Sequence, residues 1–150
     1  MILQVKKVRE TAKLPSRANP SDAGADVFYC PHEPTVQRIR PNQNKILPTG
    51  LKFEVPHGYM LEVKNRSSIA AKNSLIVGAC VVDSGYDGEV FIDLHNVGDS
   101  ERVIYPDDKI AQVVLVPVVP FRVREVEHNL YSDAVTISNR GDGALGSTGG

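Results

Sequence analysis

An aspartate that ends an apolar run and begins a tight turn is the first candidate for chemistry in this 150-residue chain. In the stretch CVVDSGYDGEV, residues 80–90, Asp83 follows two valines and precedes Ser84 and Gly85. A carboxylate fixed at the end of a strand can hold a water molecule and take its proton, whereas the same residue can also simply cap the turn. The stretch predicts a β-hairpin, in which Tyr86 is either a packing residue or a platform for a ligand.

A second candidate is the stretch KNRSSIAAKN, residues 64–73, which brings one arginine and two hydroxyl groups to the start of a helical turn. The unpaired backbone N–H groups and the dipole at a helix start favour anions, so Arg66, Ser67 and Ser68 could bind phosphate. The alternative is structural, with Ser67 or Ser68 capping the turn and Arg66 as a solvated charge. The stretch predicts one short helix over 67–73.

Small residues surround a second aspartate in the stretch DAGADVF, residues 22–28. They allow another group to approach the backbone closely while the Asp26 carboxylate points from a strand. A simple turn is the alternative interpretation.

The C-terminal stretch RGDGALGSTGG, residues 140–150, combines Arg140 with many open backbone N–H groups and the hydroxyls of Ser147 and Thr148. Such a segment can wrap around phosphates. Its composition is also typical of a flexible terminus. We therefore predict an arm that is separate from the core.

The elements that must position these residues are mostly strands. Short runs rich in Val, Ile, Leu, Phe and Tyr recur between Pro, Gly, Asn and Asp, up to a last strand-like segment that ends near Glu127. In residues 89–94, alternation puts Val90, Ile92 and Leu94 on one face of a strand, as expected for a core. With one short helix and no βαβ pattern, the sequence predicts an all-β sandwich or jelly roll.

Composition narrows the functional classes. The formal net charge of -1 provides no basic excess for binding nucleic acid. No stretch approaches the roughly 20 apolar residues that span a bilayer, and the N-terminus does not resemble a signal peptide. Two cysteines cannot form a disulfide framework or, alone, a zinc site. We expect a soluble cytoplasmic protein that binds neither nucleic acid nor membranes, although a nuclear or viral setting stays open.

Taken together, five motifs give the chain a resemblance to the trimeric deoxyuridine triphosphatase (dUTPase) family. In chain order they are AGAD at 23–26, RSSIAAK at 66–72, VVDSGYDGE at 81–89, DKIAQVVLVPV at 108–118 and RGDGALGSTG at 140–149. Any one of them is weak evidence, but five in register cover nearly the whole chain.

The resemblance implies a fold, an activity and an assembly. The fold would be the dUTPase-like jelly roll, or β-clip, over residues 1–137, followed by a flexible arm over 138–150 that closes over an active site. The activity would be hydrolysis of dUTP to dUMP and pyrophosphate with Mg²⁺, which keeps uracil out of DNA and supplies the precursor of dTMP. The assembly would be a homotrimer with its active sites at subunit interfaces.

The resemblance also implies roles for individual residues. Asp83 would be the catalytic base, and Tyr86 would pack under the deoxyribose and leave no room for a 2′-hydroxyl. Asp26 would contact the water shell of Mg²⁺ without being a direct ligand, because the metal is held largely by the phosphates. The remaining positions implied to contact substrate are Arg66, Ser67, Ser68, Cys80, Val82, Phe91, Gln112, Arg140, Leu145, Gly146, Ser147 and Thr148.

Four positions depart from the usual family pattern. Leu145 occupies the place of a phenylalanine that covers the uracil ring, and a leucine cannot stack. Ser68 and Cys80 stand where glycines are common, and Asp87 replaces a frequent basic residue. These differences concern specificity more than fold.

The alternative is a dCTP deaminase or a dCTP-accepting member of the same fold. Related deaminases carry Arg-Ser-Ser and an essential glutamate on the strand after their Asp-containing turn, a pattern that residues 66–68 and Asp93 partly match. The Asp83-x-x-Tyr86 turn and the glycine-rich arm favour the hydrolase. A third hypothesis, a catalytically silent nucleotide sensor or interaction module on this fold, is disfavoured by the presence of Asp83.

Overall fold

The computed structural model describes residues 1–131, 141–143, 145 and 149, and all structural statements concern these residues. They form eleven strands and one helix. In chain order these are β1 (Gln4–Lys7), β2 (Ala25–Phe28), β3 (Gln37–Ile39), β4 (Asn44–Pro48), β5 (Leu51–Glu54), β6 (Tyr59–Lys64), α1 (Ser67–Asn73), β7 (Leu75–Val77), β8 (Val81–Asp83), β9 (Phe91–Asn96), β10 (Arg102–Ile104) and β11 (Lys109–Pro117). The predicted all-β class is confirmed.

The strands form four antiparallel sheets. The largest has the order β2-β11-β6-β8, and a second has the order β4-β9-β7. Two further sheets pair β1 with β5 and β10 with β3. Neighbours in a sheet are far apart in sequence, so each sheet brings distant motifs together, as β11 does for β2 and β6.

A single apolar core lies between the two larger sheets. Leu61 and Val63 of β6 and Ile92 and Leu94 of β9 all belong to one buried cluster. Val90, Ile92 and Leu94 are each no more than 3% exposed, which confirms the alternation predicted for residues 89–94. The opposite face of β9 therefore carries the residues that are available for other contacts.

The helix has the predicted bounds but not the predicted cap. The N-cap residue is Arg66 in an extended conformation, and no side chain caps the first turn, so neither Ser67 nor Ser68 has that role. The helix ends at Asn73, and the C-cap residue Ser74, with a left-handed backbone (φ 55), donates its N–H to the carbonyls of Ile69 and Ala70. The N–H groups of the first turn stay free of a side-chain partner within the described residues.

The prediction of a β-hairpin at 80–90 is wrong. Strand β8 pairs with β6, whereas β9 pairs with β4 and β7, so the two strands belong to different sheets. The residues between them form a turn closed by the Tyr86 N–H, which donates to the Asp83 carbonyl at 3.2 Å. We call residues 83–88 the Asp83 loop. It crosses from one sheet to the other, because β8 is the edge strand of the largest sheet and β9 is the middle strand of the second.

Contacts divide the chain into two compact units, Met1–Pro120 and Phe121–Gly150. The predicted strand-like segment that ends near Glu127 forms no strand in the described part of this single chain. The proposed boundary between a domain at 1–137 and an arm at 138–150 stays a prediction, since residues 132–140 lie outside the described residues. Among the described residues, no helix is long and apolar enough to cross a membrane.

Candidate active site

Three of the sequence motifs meet in one polar pocket of about 290 Å³, which we call the cradle. It forms because β2 and β11 are neighbours, with Asp26 opposite Gln112, and because α1 begins beside the end of β6. The residues that line it are Ser16, Ala18, Asp22, Ala23, Gly24, Asp26, Arg66, Ser67, Ser68 and Gln112. The structure thus brings together the five predicted phosphate-side and metal-side residues.

Asp26 is held between two cations. The Arg66 Nε donates to Asp26 Oδ1 at 2.7 Å, and the Lys109 ammonium lies 3.0 Å from Asp26 Oδ2. The Asp26 side chain is 15% exposed, so these contacts are partly shielded from solvent. Because Arg66 uses Nε, its two terminal nitrogens remain available for an anion. The arginine of the cradle is therefore fixed by a carboxylate and keeps donors that suit an anion.

Gln112 is fixed from two sides. Its Nε2 donates to the Asn65 carbonyl at 2.8 Å, and its Oε1 lies against Gly24. A Cβ at position 24 would lie 2.5 Å from that oxygen, so a larger residue there would displace the Gln112 amide. The close approach predicted around Asp26 is thus made by the Gln112 side chain.

A second pocket, of about 260 Å³, lies at the Asp83 loop. We call it the Asp83 pocket. Its lining combines a carboxylate with two half-exposed aromatic rings, those of Tyr86 and Phe91, each 48% exposed. The residues that line it are Val81, Val82, Asp83, Tyr86, Glu89, Val90 and Phe91. An apolar wall beside a carboxylate suits a ligand with a flat ring and a reacting polar group.

Within the described residues, no hydrogen bond or ion pair engages the Asp83 carboxylate. Asp83 is exposed, and its backbone carbonyl receives the Tyr86 N–H. The Tyr86 hydroxyl instead donates to the Glu89 carbonyl at 2.9 Å, which orients the ring within its own loop. The predicted residue Cys80 is exposed next to this pocket but does not line it, and its carbonyl accepts the Val63 N–H at 2.7 Å.

The two pockets do not form one site within a single chain. Strand β6 lies between the two pockets: its Met60 pairs with Asp83 of β8, and its Lys64 pairs with Gln112 of β11. Four residues along a strand span about 13 Å, and β8 and β11 also lie on opposite sides of β6. One chain therefore holds the carboxylate and the anion cradle well apart.

Asp93, the residue that suggested a deaminase, lies outside both pockets. Its carboxylate accepts a hydrogen bond from Asn44 Nδ2 at 2.8 Å, and its other oxygen lies 3.0 Å from His95 Nε2. A Cβ at Gly78 would collide with the side chains of Asp93 and His95. Asp93 is thus part of a local polar network on the outer face of β9 and does not reach the Asp83 pocket.

The predicted arm residues lie mostly outside the described part of the chain. This applies to Arg140, Gly146, Ser147 and Thr148, whose proposed roles stay predictions. Leu145 is described and is fully exposed.

Sequence reasoning missed the charged pair that supports the Asp83 loop. Arg9 and Glu89 form a bidentate ion pair, in which Arg9 Nη1 donates to Glu89 Oε1 at 2.7 Å and Arg9 Nη2 donates to Glu89 Oε2 at 2.8 Å. Burial works against ionisation of Glu89, but hydrogen bonds from Arg9 and the Gly50 N–H outweigh it and lower the pKa of Glu89. The partners are 80 positions apart in the sequence, so no local pattern predicts the pair. Lys109, by contrast, lies within the motif DKIAQ and could have been considered as a partner of Asp26.

Comparison with solved structures identifies the fold. Similar solved structures include a dUTPase of Staphylococcus bacteriophage 80alpha with dUPNHPP, with a TM-score of 0.86, 24% identity and 99% of both chains covered. A dUTPase from phage phi11 of S. aureus has a TM-score of 0.79 and 24% identity, covering 87% of this chain and 99% of that one. The fold is thus the dUTPase-like jelly roll, as predicted.

The sequence comparisons then give the family. The dUTPase family model matches residues 10–149. A deoxyuridine 5'-triphosphate nucleotidohydrolase of Chlamydia pneumoniae is 40% identical over 139 residues, 91% of each chain. The rice (Oryza sativa subsp. japonica) protein of the same name is 38% identical over 149 residues, 99% of this chain and 81% of the relative. The chain belongs to the dUTPase family.

Proposed function

We propose that the chain hydrolyses dUTP to dUMP and pyrophosphate, with the Asp83 carboxylate as the general base. The function follows from family membership, supported by 40% identity to a nucleotidohydrolase that covers 91% of both chains. The observation that carries the assignment of the base is the exposed Asp83 carboxylate, which has no partner among the described residues and shares a pocket with two aromatic rings. The reaction removes dUTP before its uracil can enter DNA and yields the precursor of dTMP.

The proposed mechanism divides the work between the two pockets. Asp83 would orient a water molecule and accept its proton as the water oxygen attacks the α-phosphorus and pyrophosphate leaves in line. The Tyr86 ring would lie under the deoxyribose, where a 2′-hydroxyl would not fit. Arg66, Ser67, Ser68 and Gln112 would hold the phosphates. The apolar part of the Asp83 pocket, formed by Val82 and Phe91, would receive the uracil together with the backbone near Cys80.

We propose a homotrimer with sites shared between subunits, because one chain cannot bring both pockets to one nucleotide. The water at the α-phosphorus and the groups that bind the phosphates must lie within a few ångströms of the same triphosphate. Asp83 and Gln112 are separated by four residues along β6 and by the width of that strand. The Asp83 pocket of one subunit facing the cradle of another would resolve this separation.

A row of exposed apolar side chains supports such an assembly. Val119, Phe121 and Val123 alternate along the chain and are 83%, 83% and 88% exposed. Alternation with a period of two is typical of a strand, yet this segment forms none in the single chain. A neighbouring subunit would give these side chains a surface to pack against.

The residues of this site fit a Mg²⁺ ion that is bound directly by the substrate phosphates and only through water by the protein. Both Asp26 oxygens already contact cations, at 2.7 Å and 3.0 Å, but each keeps a further lone pair for a water molecule. Within the described residues, no group of three or more His, Cys, Asp or Glu side chains could hold a metal. Asp26 would thus contact Mg²⁺ through water, and the ion when bound would neutralise charge on the phosphates.

We propose that the arm at 138–150 closes over the nucleotide. Arg140 would meet the γ-phosphate, and the segment with Gly146, Ser147 and Thr148 would bring N–H and hydroxyl donors to the phosphates. Leu145 would cover the base without stacking on it. The cytoplasmic location stays a prediction from the sequence.

The assignment of substrate is tested by incubating the full chain with dUTP, dCTP, dTTP or UTP in the presence of Mg²⁺. Pyrophosphate and ammonia are measured separately. We expect pyrophosphate from dUTP at a rate well above that from the other three, and no ammonia. Ammonia released from dCTP would replace this proposal with the deaminase hypothesis.

The shared sites are tested by subunit mixing. When dUTP is kept well below the KM of the Arg66→Met variant, Asp83→Asn and Arg66→Met should each have little activity alone. After joint unfolding and refolding at equal amounts, about one quarter of the sites in random trimers would pair an intact Asp83 with an intact Arg66. Refolding the double variant Asp83→Asn/Arg66→Met with Asp83→Asn is the matched control and should recover nothing. Mixed trimers without any gain would show that one subunit supplies both residues.

A further inference from the structure

The Asp83 loop is supported by an ion pair between Glu89, the last residue of the motif at 81–89, and Arg9, which belongs to none of the five motifs. The Arg9 guanidinium meets both oxygens of Glu89, at 2.7 Å and 2.8 Å, and both side chains are only 13% exposed. Its NH2 group also donates to the Cys30 carbonyl at 2.7 Å, and NH1 lies 3.2 Å from His32 Nε2. Arg9 thus joins the segment before β2 to Glu89, the residue that directly follows the Asp83 loop.

Hydrogen bonds fix both the Glu89 carboxylate and the backbone of the next residue, Val90. Its Oε2 accepts the Gly50 N–H at 3.2 Å. The following residue, Val90, donates its N–H to the Leu51 carbonyl at 2.9 Å, and its own carbonyl accepts the Thr49 hydroxyl at 2.6 Å. The Glu89 carbonyl is therefore a fixed acceptor at the edge of the Asp83 pocket.

That carbonyl is the acceptor for the Tyr86 hydroxyl, at 2.9 Å. The ring lies over Gly88, where an added Cβ would come within 2.5 Å of the Tyr86 Cζ. Elsewhere in the loop, the described ion pair is that between Asp87 and Lys52, at 3.4 Å, with Asp87 93% exposed. An exposed pair of this kind contributes little to fixing a loop. The orientation of the Tyr86 ring therefore depends on Glu89 and, through it, on Arg9.

We infer that Arg9 is a positioning residue for sugar recognition: through Glu89 it fixes the acceptor that orients the Tyr86 ring. The inference rests on the proposed role of Tyr86 under the deoxyribose. The planar guanidinium makes two parallel bonds to one carboxylate, so it fixes both the place and the angle of Glu89, which a lysine ammonium cannot do. Selection of the deoxyribose thus extends beyond the residues that line the pocket.

Kinetics of Arg9→Met and Arg9→Lys test the inference with dUTP and UTP. We expect Arg9→Met to raise KM for dUTP by about 10-fold, to change kcat by less than about twofold, and to lower the preference for dUTP over UTP. Arg9→Lys should recover part of this loss because it restores one charged contact. The matched control is Arg38→Met, which removes the exposed Arg38–Glu101 pair on β3, where the atoms lie 3.1 Å apart. This control should leave KM and kcat unchanged for both dUTP and UTP.

A readout without catalysis separates this inference from the proposed function. In protein labelled with 3-fluorotyrosine, the Tyr86 resonance, assigned by Tyr86→Phe, should shift or broaden in Arg9→Met and in Gly88→Ala but not in Arg38→Met. Gly88→Ala displaces the ring directly and keeps the ion pair. A shifted resonance in a chain that does not hydrolyse dUTP would overturn the proposed function and leave the positioning intact.

Two results would overturn the inference itself. One is an unchanged Tyr86 resonance in folded Arg9→Met or Arg9→Lys protein. The other is a fall in kcat with unchanged KM and unchanged preference for dUTP, since that pattern would place the effect of Arg9 on the base or on the fold as a whole. Thermal unfolding of each variant establishes that folded protein is being compared.

Discussion

The cradle and the Asp83 pocket are similar in volume, at about 290 and 260 Å³, but differ in how their charged groups are held. In the cradle, Asp26, Arg66 and Lys109 neutralise and fix one another, and Gln112 is bonded to the backbone. In the Asp83 pocket, the carboxylate has no partner among the described residues and the two rings are half exposed. The charged groups of the cradle are thus paired and fixed, whereas the Asp83 carboxylate is exposed and unpaired among the described residues.

This contrast fits the division between binding and chemistry. A binding site gains from charged groups that are already oriented, because no rearrangement is needed when the anion arrives. A general base must be free to accept a proton, so a strong cationic partner would weaken it. Substitutions in the two pockets should therefore separate KM from kcat.

The largest effect is expected for Asp83→Asn. The amide keeps the shape of the side chain and loses the base, so kcat should fall by at least about 100-fold while binding of a non-hydrolysable dUTP analogue changes little. Pyrophosphate release and calorimetric titration measure the two quantities. Turnover within a few-fold of the parent would exclude Asp83 as the base.

In the cradle, Arg66→Met should mainly weaken binding. Loss of a charge-assisted contact to phosphate corresponds to a rise in KM of about 10-fold to 100-fold. Steady-state kinetics with dUTP measure it, with Arg38→Met as a control that removes an exposed arginine elsewhere. If KM stayed constant and kcat alone fell, the contrast between the two pockets would be lost.

A smaller effect is expected on stability, and it concerns the Arg9–Glu89 ion pair beside the Asp83 loop. The pKa of Glu89 is lowered in the folded protein, because hydrogen bonds from Arg9 and Gly50 outweigh the burial that would raise it. Its contribution to stability is therefore present above the unfolded pKa and lost as the pH falls through the lower, folded value. Glu89→Gln should lower Tm at pH 7, and the difference from the parent should shrink below about pH 4.

An equal difference in Tm at pH 7 and at pH 3.5 would contradict this account of Glu89. Glu62→Gln serves as the control, since Glu62 makes an ion pair at 3.0 Å with the half-exposed Lys64 on the same strand. Its effect on Tm should be close to zero at both pH values.

The smallest effect is expected at the arm. Leu145→Phe adds a ring that could stack on the base, which corresponds to a KM for dUTP lower by about two-fold to ten-fold. Leu145→Gly removes apolar cover and should raise KM. Equal KM values for the two variants would mean that residue 145 does not cover the base.

Much of the fold and most of the cradle could be predicted from sequence. The alternation at Val90, Ile92 and Leu94 identified a buried face, and the helix over 67–73 has the predicted bounds. The start of the helix predicts Arg66, Ser67 and Ser68 as phosphate-binding residues, whereas the roles of Asp26 and Gln112 come from the resemblance to a known family. Local pattern and resemblance are sufficient to predict site residues that lie together in one short stretch of sequence.

Pairing partners could not be predicted. Nothing in residues 80–90 reveals that β8 joins β6 while β9 joins β4 and β7, since a hairpin and a crossing between sheets use the same turn residues. The helix cap was wrong because Arg66 occupies the extended N-cap position and both serines lie inside the first turn. The Arg9–Glu89 pair depends on contacts across 80 residues, which only the folded chain establishes.

The close contact between Gly24 and Gln112 has an evolutionary consequence. A Cβ at position 24 would lie 2.5 Å from Gln112 Oε1, the far end of a flexible side chain, so alanine at 24 would displace that amide. The displaced amide would give up its hydrogen bond to the Asn65 carbonyl. The cost of alanine at 24 therefore depends on residue 112, because a shorter side chain there leaves room for the Cβ and has no such hydrogen bond to lose. The two positions are epistatic, and alanine at 24 should be better tolerated in lineages that carry a shorter residue at 112.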